Sequence, residues 1–136
     1  HPQIEIKTSY AREILPKDVP LKTAVTQWAN VAGLVTGFLT NDHALIGRSL
    51  VDVIIEPVRS KLIPGFDEVK SKCLAAGALG GGISGSGPSL FMLSKEKQTG
   101  EAVQREMKLV YEKLGIDCKT YLTTMGSGVT VIDSVE

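Results

Sequence analysis

Apolar residues recur along this chain at two different periods, and the switches between them mark out its elements. From Gln3 to Thr8 the pattern alternates, with Ile4, Ile6 and Thr8 on one side, which predicts a half-buried strand. Ser9 then has the chemistry to cap a short helical turn through Ala11 and Arg12, ended by Pro16. Asp18 and Pro20 open a long helix in which Leu21, Val25, Trp28, Ala29, Ala32, Val35 and Leu39 recur at helical spacing. Asn41 or Asp42 caps a further helix with Ala44, Leu45, Leu50, Val51, Val53 and Ile54 as its apolar positions, and Pro57 interrupts it. The turn Pro64–Gly65 leads into a helix carrying Phe66, Val69 and Leu74 that ends near Gly77.

Beyond a glycine-rich stretch, Leu90 to Leu93 is strand-like, and Val103, Met107, Val110 and Leu114 form a helical stripe stopped by Gly115 at C′. Ile116, Cys118, Thr120 and Leu122 alternate again. Met125 to Gly128 turns the chain, and Val129 to Ile132 predicts a last strand. Strand, helices, strand, strand, helix, strand is the split-βαβ order of an α+β, ferredoxin-like domain with an enlarged first crossover. An antiparallel sheet with helices on one face would bury the stripes just described. No repeat or low-complexity linker divides residues 1–136, so one domain is expected.

Composition narrows the function classes. The chain has 136 residues, 43% of them hydrophobic, enough for one domain with a proper core. Fifteen basic residues balance 15 acidic ones, which argues against a broad nucleic-acid or acidic-membrane surface. No apolar run reaches membrane-spanning length and no signal peptide is visible; a cytoplasmic protein is expected. Cys73 and Cys118 are single and distant, outside any metal or redox spacing, and read as small hydrophobes in a reducing compartment. The chain opens at His1 directly on a strand-like segment, as expected of a domain excised from something longer.

The candidate chemistry lies in the stretch Gly77 to Ser89, which holds six of the 14 glycines. Such a cluster suits positive φ or the close approach of another backbone or a ligand. Ser84, Ser86 and Ser89 add hydroxyls, Pro88 fixes the exit, and the free N–H groups of such a loop suit an anion. A tight hairpin between two strands is the plainer reading. Gly80, Gly82 and Gly85 satisfy G-x-G-x-x-G, but a helix precedes them and a strand follows, the reverse of a dinucleotide site. No lysine follows the last glycine, so there is no Walker loop. His1 and His43 are isolated; Asp18, Asp42 and Glu56 suit caps and ion pairs; Tyr10, Trp28 and Phe38 suit packing.

Gly81-Gly82-Ile83-Ser84-Gly85-Ser86-Gly87-Pro88-Ser89-Leu90-Phe91 resembles the third, C-terminal motif of the GHMP small-molecule kinases. Thr8 to Pro16 and Glu56 to Phe66 are similar to segments of the homoserine kinases within that superfamily, and all three occur in the family's order. The resemblance implies the C-terminal domain of an enzyme that transfers the γ-phosphate of ATP to the hydroxyl of L-homoserine, giving O-phospho-L-homoserine for threonine biosynthesis. It implies that Mg²⁺ and ATP are bound mainly by an N-terminal kinase domain that this chain lacks, so the isolated chain is expected to be inactive.

By the same resemblance Arg12 and Arg59 hold the substrate carboxylate, which suits the bidentate guanidinium, and Thr8 borders the substrate hydroxyl. Gly82, Ser84, Gly85, Ser86 and Gly87 are implied to lie near the phosphates, supporting the missing domain's phosphate loop. Without the resemblance, a surface salt bridge of low worth is the better reading of either arginine. A homodimer is a further possible assembly. Two rivals remain: a GHMP kinase for another small alcohol, and a non-catalytic ferredoxin-like module that binds an amino acid or dimerises through its sheet.

Overall fold

The structure, a computed structural model, describes residues 1–126 and 128–130. Its elements are α1 (Thr8–Glu13), α2 (Leu21–Thr40), α3 (His43–Ser49), α4 (Glu56–Arg59), a single 3-10 turn (Ser60–Leu62), α5 (Phe66–Ala75), β1 (Gly80–Ile83), β2 (Leu90–Leu93) and α6 (Lys97–Lys113). β1 and β2 pair antiparallel in the register Gly80 to Leu93, Gly81 to Met92, Gly82 to Phe91 and Ile83 to Leu90. The class is α+β, with a two-stranded antiparallel sheet among the described residues.

The core lies where α5 and α6 cover one face of that sheet. Val69 and Cys73 of α5 meet Val103, Val110 and Tyr111 of α6, with Leu90 and Met92 of β2 packed against them. Removing this apolar surface from water is the main drive for the fold. It also moves the core's acids: burial pushes the Cys73 thiol up to about 11, with Glu106 adding. Burial likewise pushes Tyr111 up to about 12, helped by Cys118 and Cys73. Helix α6 ends as its sequence predicts, with Gly115 at φ 66°. The N–H groups of Gly115 and Ile116 return to the carbonyls of Glu112 and Tyr111, a Schellman stop.

Several expectations fail in instructive ways. Gln3 to Thr8 is not a strand. Pro2, Ile4 and Ile6 do turn inward in alternation, but α1 already begins at Thr8, so Ser9 lies inside that helix instead of capping it. Only an isolated bridge from Pro2 to Cys118 forms, flanked by Gln3 N to Asp117 O at 2.7 Å and Lys119 N to His1 O at 3.0 Å. The predicted strand from Ile116 to Leu122 is reduced to that bridge. Val129 and Thr130 are outside any strand, and the rest of the predicted last strand lies outside the described residues.

The helix capped by Asp42 is shorter than its apolar pattern. Asp42 Oδ1 accepts from Leu45 N at 2.9 Å, as a cap should. However, α3 stops at Ser49, because Asp52 Oδ1 accepts from both Ile54 N and Ile55 N and holds residues 52–55 in a turn. Pro57 does not interrupt a helix; it opens α4 in the first turn, where its missing N–H costs nothing.

The largest departure concerns α2. The helix forms over the predicted span, yet its predicted buried stripe faces outward. Leu21, Val25, Trp28, Val35 and Leu39 are 51–83% exposed. The inward side instead carries Thr23, Gln27, Asn30, Gly33, Leu34 and Gly37, packed against α3 and the segment after it. Tyr10 and Phe38 are exposed too, so none of the three aromatic residues expected to pack does so. Periodicity finds an apolar face but does not say what covers it.

Candidate functional site

Three segments far apart in sequence meet at one guanidinium. Arg59 closes α4; its Nε donates to the carbonyl of Ala11 in α1 at 3.1 Å, and its Nη1 donates to the carbonyl of Gly85 at 2.9 Å. A planar fork with fixed donors suits such a bridge. Ala11 is fully buried, which seats α1 against the body of the fold. Arg12 follows it immediately and is exposed, and its side chain makes no hydrogen bond or ion pair among the described residues. Thr8 is the exposed first residue of α1.

The glycine-rich segment divides in two. Gly80 to Gly82 are strand residues, so the loop proper is Ser84 to Ser89. Ser84 N donates to Ser89 O at 2.8 Å, and Gly87 N to Ser84 O at 3.2 Å. Those two bonds close the turn and consume two of the loop's N–H groups. Gly85 and Ser86 keep theirs, with no main-chain acceptor among the described residues. Gly85 sits at φ 62°, a conformation glycine reaches without strain, and so turns its carbonyl to Arg59. Ser84 and Gly85 are exposed, Ser86 and Gly87 half-buried, and the Gly87–Pro88 bond is cis. His1, read as isolated, touches this loop: its Nδ1 is 2.8 Å from Ser89 Oγ.

Gly82 is backed by Glu56, which the sequence marks for a cap or an ion pair without indicating its partner. Glu56, the first residue of α4, forms an ion pair with Lys70 of α5, and the two side chains are only 14% and 19% exposed. The ammonium of Lys70 also lies 5.8 Å from the centre of the Phe66 ring. A Cβ on Gly82 would stand 2.8 Å from Glu56 Oε2, so a side chain there would push the Glu56 carboxylate aside. Glu56 and Lys70 are 14 residues apart across the Pro64–Gly65 turn, and no periodicity links them.

Beside this corner is a cavity of ≈ 220 Å³ between α2, the 49–56 segment and β1. Two of its polar side chains are already engaged. Asn30 Nδ2 donates to Val51 O at 2.8 Å and Gln27 Oε1 accepts from Val53 N at 2.9 Å. These bonds shape the segment that delivers Glu56 and Arg59 to the loop. No group of three or more metal-ligating side chains gathers among the described residues. None of their helices is long and apolar enough to cross a membrane.

The geometry thus unites Arg59, the residue after Ala11, and the glycine loop, the same three segments that carry the family resemblance. Comparison with known proteins agrees. The family described as GHMP kinases C terminal matches residues 34–113. A homoserine kinase of Chlorobaculum tepidum is 56% identical over 111 residues, covering 82% of this chain and 34% of its own. One from Pyrococcus abyssi is 42% identical over 128 residues, covering 93% and 42%. The crystal structure of homoserine kinase from Cytophaga hutchinsonii superposes with a TM-score of 0.85 at 53% identity, covering 86% of this chain and 37% of that one. The chain therefore spans well under half the length of these relatives. Because the matched segment is more than half of the chain, the protein belongs to the family of GHMP kinase C-terminal domains.

Proposed function

We propose that this chain is the substrate-side domain of a homoserine kinase, a cytoplasmic enzyme that moves the γ-phosphate of ATP to the hydroxyl of L-homoserine. The observation that carries the reading is the Arg59 bridge, which ties α1 to the glycine loop and sets Arg12 beside that junction. Phosphoryl transfer depends on positioning and electrostatics. Arg12 supplies a charge with no protein partner among the described residues, suited to the substrate carboxylate. Arg59 has donors left on its outer edge after its two main-chain bonds, and Thr8 stands one helical turn from Arg12.

The N–H groups of Gly85 and Ser86, with the Ser84 and Ser86 hydroxyls, would back the phosphate-binding loop of the N-terminal domain. Gly82 and Gly87 fix the two ends of that support. ATP and Mg²⁺ are assigned to the N-terminal domain. The described residues gather no group of three or more His, Cys, Asp or Glu side chains that could hold the ion. We also propose the ferredoxin-like strand order for the parent sheet. Residues 1–3 already run antiparallel to 117–119, and His1 reaches Ser89 beside β2, as that order requires.

The test is ADP release by the parent enzyme with homoserine, serine and mevalonate, comparing wild type with Arg12→Ala. The expected result is turnover of homoserine with KM raised at least about tenfold in the variant, the loss of one charged hydrogen-bonded contact. Turnover of another alcohol in preference, or an unchanged KM, refutes the substrate or the site respectively. The chain alone is expected to release no ADP.

A further inference from the structure

Glu56 and Arg59 are the first and last residues of α4, a helix of one turn. Side chains three residues apart on a helix are neighbours, so the Glu56 carboxylate starts within reach of the Arg59 guanidinium. That fork takes a carboxylate through two parallel bonds, which makes Arg59 the obvious partner for Glu56. The two do not pair. Glu56 bonds through Oε1 to Lys70 of α5, and its Oε2 lies against Gly82 of β1. Arg59 donates instead to the carbonyls of Ala11 and Gly85, and it makes no ion pair among the described residues.

Lys70 is built to hold the carboxylate in that place. It follows Val69, a fully buried core residue, so packing fixes its main chain. Its ammonium stands 5.8 Å from the centre of the Phe66 ring, one turn back on α5, and Phe66 is buried as well. Both partners of the pair are mostly buried, so a Glu56 that lost Lys70 would be drawn to another cation, and Arg59 lies one turn along its own helix. Gly82, with no side chain, leaves the space in which Oε2 rests.

We infer that Lys70 is a positioning residue: by holding the Glu56 carboxylate against Gly82, it keeps that carboxylate off Arg59 and leaves the outer edge of the guanidinium open to the carboxylate of the substrate. A glutamate released on the same helix would act as a tethered competitor, at a high effective concentration. The role at the substrate rests on the homoserine-kinase reading, whereas the placement of Glu56 does not.

Kinetics and a crystal structure of variants of the parent enzyme test it. Lys70→Met should raise KM for homoserine at least about tenfold while kcat stays within about twofold, the pattern of lost ground-state binding. Adding Glu56→Gln to Lys70→Met should return KM to within about threefold of wild type, because the competing charge is gone. A pair that merely braced the fold would give the opposite result, since the double variant lacks the brace as fully as the single one. In the Lys70→Met structure, a Glu56 carboxylate oxygen should lie within about 3.2 Å of an Arg59 nitrogen.

A double variant as impaired as Lys70→Met overturns the proposal. So does a Lys70→Met structure in which Glu56 stays against Gly82. If Lys70→Met does not fold, the double variant, which leaves no charge unpaired, decides alone: KM raised about tenfold overturns the proposal, and KM near wild type supports it. A wild-type enzyme that ignores homoserine sinks the kinase reading and with it the substrate role, and the Lys70→Met structure still decides where Lys70 keeps Glu56.

Discussion

Replacing Arg59 by alanine should loosen two distant segments at once. Its guanidinium makes two charge-assisted bonds to main-chain carbonyls, one part-buried at Ala11 and one exposed at Gly85. A hydrogen bond to a charged group contributes roughly 1.5–3 kcal/mol, and water substitutes readily at an exposed acceptor. The Ala11 bond should therefore supply about 2 kcal/mol and the Gly85 bond about 1 kcal/mol or less. Helix α1 has six residues, far too few to persist alone, so it depends on such tertiary ties.

Urea unfolding of Arg59→Ala should then show a loss of about 2–3 kcal/mol. Amide exchange should report faster opening at Ala11 to Ile14 and at Ser84 and Gly87, by about tenfold for each 1.4 kcal/mol lost locally. Arg59→Lys should recover no more than one of the two ties, because an ammonium is a single point and not a fork. A loss below about 0.5 kcal/mol, the range of ordinary surface changes, with exchange unchanged at both segments, would refute the bridge.

The remaining predictions concern the supports of that corner and the core. Glu56→Gln should cost about 2 kcal/mol in urea unfolding, because Lys70 is left charged and mostly buried; it is less than the 3–5 kcal/mol of a fully buried pair since both groups keep some solvent. Changing both residues, to Gln and Met, should recover most of that loss. Asp42→Ala should cost about 1 kcal/mol, the worth of one N-terminal cap, with no effect at the glycine loop. Stability should also fall in alkali: Cys73 and Tyr111 hold their protons more tightly folded than unfolded, so their contribution is intact below about pH 9 and drains as pH rises through about 11 and about 12. The slope is about 1.4 kcal/mol per pH unit for each group in its window, and Cys73→Ala should remove the lower of the two windows.

The sequence was legible where one residue decides the outcome locally. Gly115 stops α6, Asp42 caps α3, and the spacing of Val103, Met107 and Val110 marks the covered side of α6. It was illegible where the answer depends on a partner. The alternation of Pro2, Ile4 and Ile6 survives as burial without becoming a ladder, because a strand needs a neighbour and, among the described residues, its backbone bridges only to residues 117–119. The stripe on α2 was found and then assigned to the wrong side of the helix, since Gly33 and Gly37, which look like weak points, are what allow α3 to pack closely there. The site behaved likewise. Its three segments were recognisable as motifs, but the reason they belong together is a pair of hydrogen bonds that span 48 and 26 residues.

That arrangement removes the opposition between a structural and a substrate-binding arginine. Guanidinium carries five N–H donors in a fixed plane, and Arg59 uses Nε and one Nη1 donor on carbonyls. The plane of the guanidinium is thereby held before any ligand arrives, which would lower the entropy lost if its other edge takes a carboxylate as proposed. Arg12 has no such anchor, so a ligand contact there must order the side chain and gains less. The two positions should therefore separate cleanly in the parent enzyme. Arg12→Ala should leave urea stability within about 0.5 kcal/mol while raising KM, whereas Arg59→Ala should lower stability and raise KM together. Stability lost equally at both positions would mean that Arg12 has a structural partner. KM unmoved at Arg59 despite a loosened loop would mean that the bridge shapes the fold and nothing more.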